Sequence, residues 1–231
     1  MKLLAIDTAT EACSAALFMD GEIVEQYQIA PREHTRLILP MVEAVLGSAG
    51  CSLQDCDALA FGQGPGAFTG LRVAAGVIQG LALGADLPVV GISSLAALAQ
   101  GVYRVQGEQA ILAGIDARMA EVYWGCYQLD ENQLMCLQGT EQVCAPASVP
   151  ELLSNDQDWF GVGTAWETYG AELSQHLGVL DSRYQGLIYP RAQDIATLAV
   201  AAYQQGQAVS AELAIPVYLR DQVAKKRAEQ G

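Results

Sequence analysis

Apolar and polar positions along this chain follow two periods in turn. The opening KLLAIDTAT is a short apolar run closed by turn-forming Asp7 and Thr8, the pattern of a buried strand. In EACSAALFMDGEIVEQYQIA, two strand-like runs flank Asp20-Gly21, a dipeptide favoured in tight hairpins. The period then becomes helical. EHTRLILPMVEAVLGSAG sets Leu37, Met41, Val42, Val45 and Leu46 at helix spacing, with Gly47 or Gly50 to end it and Pro40 expected to kink it. DALAFG and PVVGIS read as strands. TGLRVAAGVIQGLALGA and SLAALAQGVY read as helices, the first capped by Thr69 and the second by Ser93 or Ser94. The predicted order is β-β-β-α-β-α-β-α.

The pattern then begins again. AILAGIDARMAEVYWGCYQL parallels LLAIDTATEACSAALFMD and sets Asp116 where Asp7 stood. DWFGVGT and AWETYGAELSQHL repeat the strand, Gly-x-Gly, helix order of FGQGPGAFTGLR. RAQDIATLAVAAYQQGQ is a last amphipathic helix, and AIPVYLRDQVAKKR reads as strand or loop and then helix. An internal duplication is the economical account. The expected division is a first subdomain over 1–103, a second over 104–210, and a tail helix within 211–231 that packs back on the first. The fold class is α/β, with two duplicated mixed sheets flanked by helices. This arrangement resembles the actin, sugar-kinase and Hsp70 superfamily (ASKHA, ribonuclease H-like).

Composition narrows the function. With 231 residues, 52% hydrophobic and 16% charged, the chain can bury a sizeable core and is not disordered. The apolar stretch from Val73 to Val90 is broken by Gln79, Asp86, glycines and a proline, so it reads as a buried helix and strand and no membrane span is expected. Met1-Lys2 runs directly into LLAIDT without a signal-peptide pattern, which favours a cytoplasmic protein. Six cysteines without a CxxC pair are expected to be reduced thiols. The net charge of −14, from 12 Lys+Arg against 26 Asp+Glu, is a poor footprint for phosphate backbones. Lys225-Lys226-Arg227 is the one basic cluster and reads as a solvated tail end. Any contact with RNA is therefore expected to run through a partner.

The ASKHA resemblance implies a nucleotide cleft between the halves, approached by the turn after each first strand, with an Asp positioning magnesium or water. Such cradles usually carry glycine, because backbone N–H groups must come close to phosphate. Here the turns are Asp7-Thr8-Ala9-Thr10 and Asp116-Ala117-Arg118-Met119, both without glycine. Asp7, Thr8, Thr10 and Asp116 are thus weak candidates for ATP or ADP, and no intrinsic cofactor is expected. GQGPGAFTGLR lacks the Gly-Lys-Ser/Thr ending of a P-loop and reads as a corner that launches a helix.

LLAIDTAT, GQGPGAFTGLRVA, GISSLAALA and GIDARMAEVYWG together resemble the bacterial TsaB (YeaZ-type) proteins, over essentially the whole chain. That resemblance implies a non-catalytic subunit in the formation of the threonylcarbamoyl group on adenosine 37 (t6A) of tRNAs reading codons that begin with adenine. It implies binding and activation of the catalytic subunit TsaD together with the ATPase TsaE, a homodimer when TsaD is absent, and tRNA contact only through the complex. Nucleotide would then bind weakly or at the TsaD/TsaE complex.

The residues themselves test the missing chemistry. TsaD-like relatives hold a metal with two histidines at i and i+4 on one helix. The position four after His34 is Ile38, and His176, the other histidine, has no partner at motif spacing, so no metal site is expected. Gly91-Ile92-Ser93-Ser94-Leu95 is not a nucleophile elbow. Function is then expected in a surface. The two helices over 34–46 and 69–85 are apolar around much of their circumference, and Leu37, Ile38, Met41, Leu71, Ala74, Ala75, Val77, Ile78 and Leu81 are the candidate partner interface. The alternative is an ASKHA-fold nucleotide hydrolase or a glycoprotease-type peptidase, with Asp7 and Asp116 facing each other across the cleft as its carboxylate pair.

Overall fold

The computed structural model describes residues 1–150 and 158–220. Its first half is β1 (Lys2–Asp7), β2 (Ala12–Met19), β3 (Glu22–Ile29), α1 (His34–Ser48), β4 (Ala58–Gly64), α2 (Phe68–Ala85), β5 (Val89–Ser93) and α3 (Ser94–Gln106). The second half is β6 (Ala110–Arg118), β7 (Glu121–Leu129), β8 (Met135–Cys144), β9 (Phe160–Val162), α4 (Thr164–Leu177), β10 (Tyr184–Gln185) and α5 (Ala192–Gln204). Two five-stranded sheets result, ordered β3-β2-β1-β4-β5 and β10-β9-β6-β7-β8. In each, an antiparallel meander of three strands is joined through its first strand to parallel additions. The sheets share one topology, so the duplication read from the Ile-Asp repeats is a property of the fold.

The helices are exchanged between the halves. One face of the first sheet packs Ile6, Leu17 and Phe61 against Ile38 and Val45 of α1 and Ala74 and Ile78 of α2. Its other face is covered by α5 of the second half, through Ile195, Ala196 and Ala199. The second sheet buries Ile111, Ala113 and Ile115 under Leu95, Leu98 and Val102 of α3. Trp124 and Trp166 fill the opposite side, beneath α4. Where α3 and α5 meet, Arg104 grips the buried Asp194 with two bonds of 2.7 and 3.1 Å. A buried carboxylate in such a forked pair is held in one orientation, which fixes the crossing of the two helices.

Several local expectations need revision. The boundary placed at 103 falls inside α3, which runs to Gln106 and ends at Gly107 in the left-handed region (φ 77°). Helix α2 begins at Phe68 after Ala67, and Thr69 makes no capping bond. Ser93 does cap α3, accepting from the N–H groups of Leu95 and Ala96. Pro40 does not interrupt α1 and lies on its exposed side. The break appears instead in α4 at Tyr169 (φ −124°), where Gly170 packs onto the Tyr184 ring. Residues 211–218 return to the first half, and Arg220 turns to the second. Ala211 and Ala214 join the first half's core, and an isolated bridge pairs Val209 with Val89. The tail helix and Lys225-Lys226-Arg227 lie outside the described residues.

Helix α2 is long and apolar enough to cross a membrane by composition, with a mean hydropathy of 1.3 over its 18 residues. It buries Gly70, Leu71, Ala74, Ala75, Ile78 and Ala82 against its own sheet, as the core helix of an α/β layer does.

Candidate functional site between the two halves

A cleft of about 390 Å³ opens between the halves. Ala9, Thr10 and Glu11 of the first turn line one wall with Gly66 and Phe68, and Asp116, Arg118, Tyr123, Thr164 and Glu167 line the other. Leu187, Tyr189, Tyr218 and Arg220 complete it.

Asp7 is not on that surface. It ends β1 fully buried; its Oδ1 accepts from the Ala9 N–H at 3.1 Å, and its Oδ2 has no partner among the described residues. A Cβ at Gly62 would stand 1.9 Å from that Oδ2, so only glycine leaves room for the carboxyl. Burial pushes the Asp7 carboxyl up to about 7, against a partial lowering by the Ala9 bond. Thr8 is buried too, and its hydroxyl donates to the Gly70 carbonyl at 2.7 Å. Thr10 reaches the cleft wall but is buried, its Oγ1 accepting from the Ala12 N–H at 3.5 Å. The Thr8 hydroxyl is thus spent on Gly70 of α2, while Thr10 accepts one long bond at the cleft wall.

The glycine-rich run explains why. The Ala67 N–H donates to the Ala9 carbonyl at 2.8 Å, and a Cβ at Gly66 or Gly70 would fall within 2.4 or 2.0 Å of the Ala9 or Thr8 carbonyl. These glycines admit the chain's own first turn. A phosphate cradle would need those N–H groups pointing into open space.

Asp116 sits differently. Its carboxylate accepts from the Arg118 N–H at 2.8 Å and from the Arg118 guanidinium at 3.1 Å, while its own N–H donates to the Thr164 hydroxyl at 3.0 Å. Arg118 also reaches Glu11 across the cleft at 3.7 Å. Asp7 and Asp116 thus do not form a facing pair: one is sealed beneath the first sheet's turn, the other is neutralised at the cleft wall. A two-carboxylate mechanism has no shared substrate position here.

Both histidines bond to backbone, His34 Nε2 to the Ala12 carbonyl at 3.2 Å and His176 Nε2 to the Val149 carbonyl at 2.9 Å. No group of three or more His, Cys, Asp or Glu among the described residues is arranged to hold a metal. All six cysteines are free thiols.

The candidate interface residues divide in two. Ile38, Met41, Leu71, Ala74, Ala75 and Ile78 are buried in the first half's own core, and Leu37, Val77 and Leu81 lie half-buried at its margin. Sequence periodicity found the apolar positions but could not say which face the sheet would take. The face left outward on α2 carries Arg72, Gly76, Gly80, Leu83 and Gly84, and on α1 Leu39, Pro40, Glu43 and Ala44. A Cβ at Gly76, Gly80 or Gly84 would meet nothing within 4 Å among the described residues. Also missed from the sequence were Glu11, Tyr218 and Arg220, isolated residues outside any motif, and Arg118, which sits inside GIDARMAEVYWG but was given no role.

Two duplicated five-stranded sheets of one topology, separated by a cleft, place the protein in the ASKHA-type fold class. The family model described as TsaD, tRNA N6-adenosine threonylcarbamoyltransferase, matches residues 22–228. The chain is 46% identical to the tRNA threonylcarbamoyladenosine biosynthesis protein TsaB of Escherichia coli (strain K12), with 98% of each chain covered. It is 42% identical to the TsaB of Haemophilus influenzae, over 98% of this chain and 97% of that one. The solved structure of YeaZ from Pseudomonas aeruginosa superposes with a TM-score of 0.88 at 47% identity, covering 94% of this chain and 99% of that one. The chain belongs to the TsaB family.

Proposed function

We propose that this protein is a non-catalytic subunit in the formation of threonylcarbamoyladenosine at position 37 of tRNA, acting in the cytoplasm by binding and activating TsaD together with TsaE. The observation that carries this reading is the outward stripe Gly76, Gly80 and Gly84 on α2. Each glycine costs a helix about 1 kcal/mol relative to alanine, and nothing among the described residues packs close enough to demand them. A second helix approaching closely is the physical use for such a stripe, and α1 also leaves Leu39 and Ala44 exposed. The same surface serves a homodimer when TsaD is absent. The net charge of −14 supports a subunit that leaves tRNA to its partners. ATP or ADP belongs to the TsaD/TsaE complex, since the turn that would cradle phosphate is filled by residues 62–70.

The enzyme reading, as a nucleotide hydrolase or peptidase using Asp7 and Asp116, loses support from the burial of Asp7 and the pairing of Asp116 with Arg118. The test is reconstitution with TsaD and TsaE, following complex formation by size exclusion with light scattering and tRNA modification in parallel. Gly80→Arg is expected to abolish the complex and modification while leaving the monomer folded. Asp116→Ala is expected to leave modification intact. A complex that survives Gly80→Arg, or modification lost with Asp116→Ala in an intact complex, overturns the reading.

A further inference from the structure

The segment after the last short turn crosses from one half to the other. Gln79 Nε2 on α2 donates to the Ala214 carbonyl at 3.1 Å, and the Val217 N–H donates to the Gln63 carbonyl at 2.8 Å. A Cβ at Gly64 (φ 114°) would come within 2.7 Å of the Val217 carbonyl, so the end of β4 is shaped to admit this segment. The Tyr218 ring lies 5.5 Å from that of Phe68, and its hydroxyl accepts from Arg72 Nε at 3.4 Å. Each of these contacts is with the first half. Two residues later the partners change. Arg220 pairs with Glu121, donates to the Arg118 carbonyl at 3.4 Å and to the Met119 sulfur at 3.8 Å, all on the β6–β7 turn of the second half.

That turn is unusual. Arg118, Met119 and Ala120 all lie in the left-handed region, with φ of 62°, 57° and 58°, and none is glycine. Residues held so are each costly and persist only where their surroundings over-determine them. Arg220 supplies such a hold from outside, on both flanks of the turn. The Arg118–Glu11 contact adds a second tie across the same opening. Phe68, Arg118, Tyr218 and Arg220 all line the cleft, so these ties form part of its wall.

We propose that Ala214–Arg220 is a clasp, which fixes the angle between the two halves and forms part of the cleft wall. It is anchored on the first half through Gln63, Phe68 and Gln79 and latched on the second through Glu121. Its consequence is that the cleft of this protein is a static wedge, and releasing either end of the clasp loosens both.

Hydrogen–deuterium exchange on the full chain tests this. Arg220→Ala touches only the second half, yet exchange is expected to rise about tenfold both at 118–121 and at 63–72 of the first half. Tyr218→Ala touches only the first half, yet it should raise exchange at 118–121 as well. Glu121→Gln, which keeps the side chain's shape, should reproduce the Arg220→Ala pattern more weakly and covers the case in which that variant does not fold. Exchange in α4 should stay unchanged throughout. Variants that each loosen only the residues they touch, or that loosen nothing, overturn the clasp.

Discussion

Asp7 ends β1 and Asp116 lies two residues before the end of β6, at matching points of one duplicated topology. Each accepts the N–H two residues on, and beyond that bond their surroundings differ. Asp7 is sealed under residues 62–70 with one oxygen unpartnered, while Asp116 stands at the cleft wall bonded to Arg118. The difference originates in the corner after the fourth strand of each half. In the first, a glycine-rich corner lets α2 press its start onto the Thr8-Ala9 backbone. In the second, β9 passes through Gly163 into α4, and Thr164 takes the Asp116 N–H without covering the carboxylate. A repeated fold supplies the position, and the neighbouring corner decides whether the carboxylate meets solvent.

This contrast can be tested by its largest consequence first. The folded-state value of Asp7, about 7, lies above its ordinary 3.8, so the folded chain holds its proton where the unfolded chain has released it. Stability is then fully present below pH 4, falls as pH rises toward 7, and levels off above it. At about 1.4 kcal/mol per unit, Asp7→Asn should stabilise the protein by up to about 4 kcal/mol at pH 8, with the gain vanishing near pH 4. Urea unfolding at the two pH values reads this directly. An Asp7→Asn effect on stability that is the same at pH 4 and pH 8 would mean that the carboxylate is solvated or paired after all.

The next effect compares two glycines of α2. Gly70→Ala drives a Cβ to 2.0 Å from the Thr8 carbonyl and should cost about 2 kcal/mol by overpacking. Gly80→Ala meets nothing and should stabilise the monomer by about 1 kcal/mol through helix propensity. The same Gly80→Ala should weaken association with TsaD, giving a protein that melts higher and binds worse. Thermal melts with light scattering separate the two outcomes. Smallest of all, Asp116→Asn should change stability by about 0–1 kcal/mol, since its Arg118 partner is largely exposed. Equal effects of Asp7→Asn and Asp116→Asn would erase the contrast.

Much of the framework was legible in residue order. Ile-Asp with a turn and a second apolar run behind it located β1–β2 and β6–β7, and Asp20-Gly21 marked a hairpin whose two residues both take positive φ. A cap at Ser93 or Ser94 was readable because a hydroxyl before an apolar run suits an N-terminus, and the fold gives that place to Ser93. The side that α2 leaves outward was not readable: Leu71, Ala74 and Ile78 differ little in character from Val77 and Leu81, yet the first three are buried. Nor did anything in sequence connect Arg220 with Glu121, or Arg104 with Asp194, since those pairs are 99 and 90 residues apart.

Residue order alone sets the periods of the strands and helices, the turns between them, the duplication and the acidic character, because each depends on neighbours within a few residues or on simple counts. It takes the folded chain to send α3 and α5 onto each other's sheets, to fill the first turn with the glycine-rich corner, and to bury one of two equivalent aspartates. Those outcomes depend on which surfaces meet across the whole chain, and desolvation and close packing act on that meeting alone.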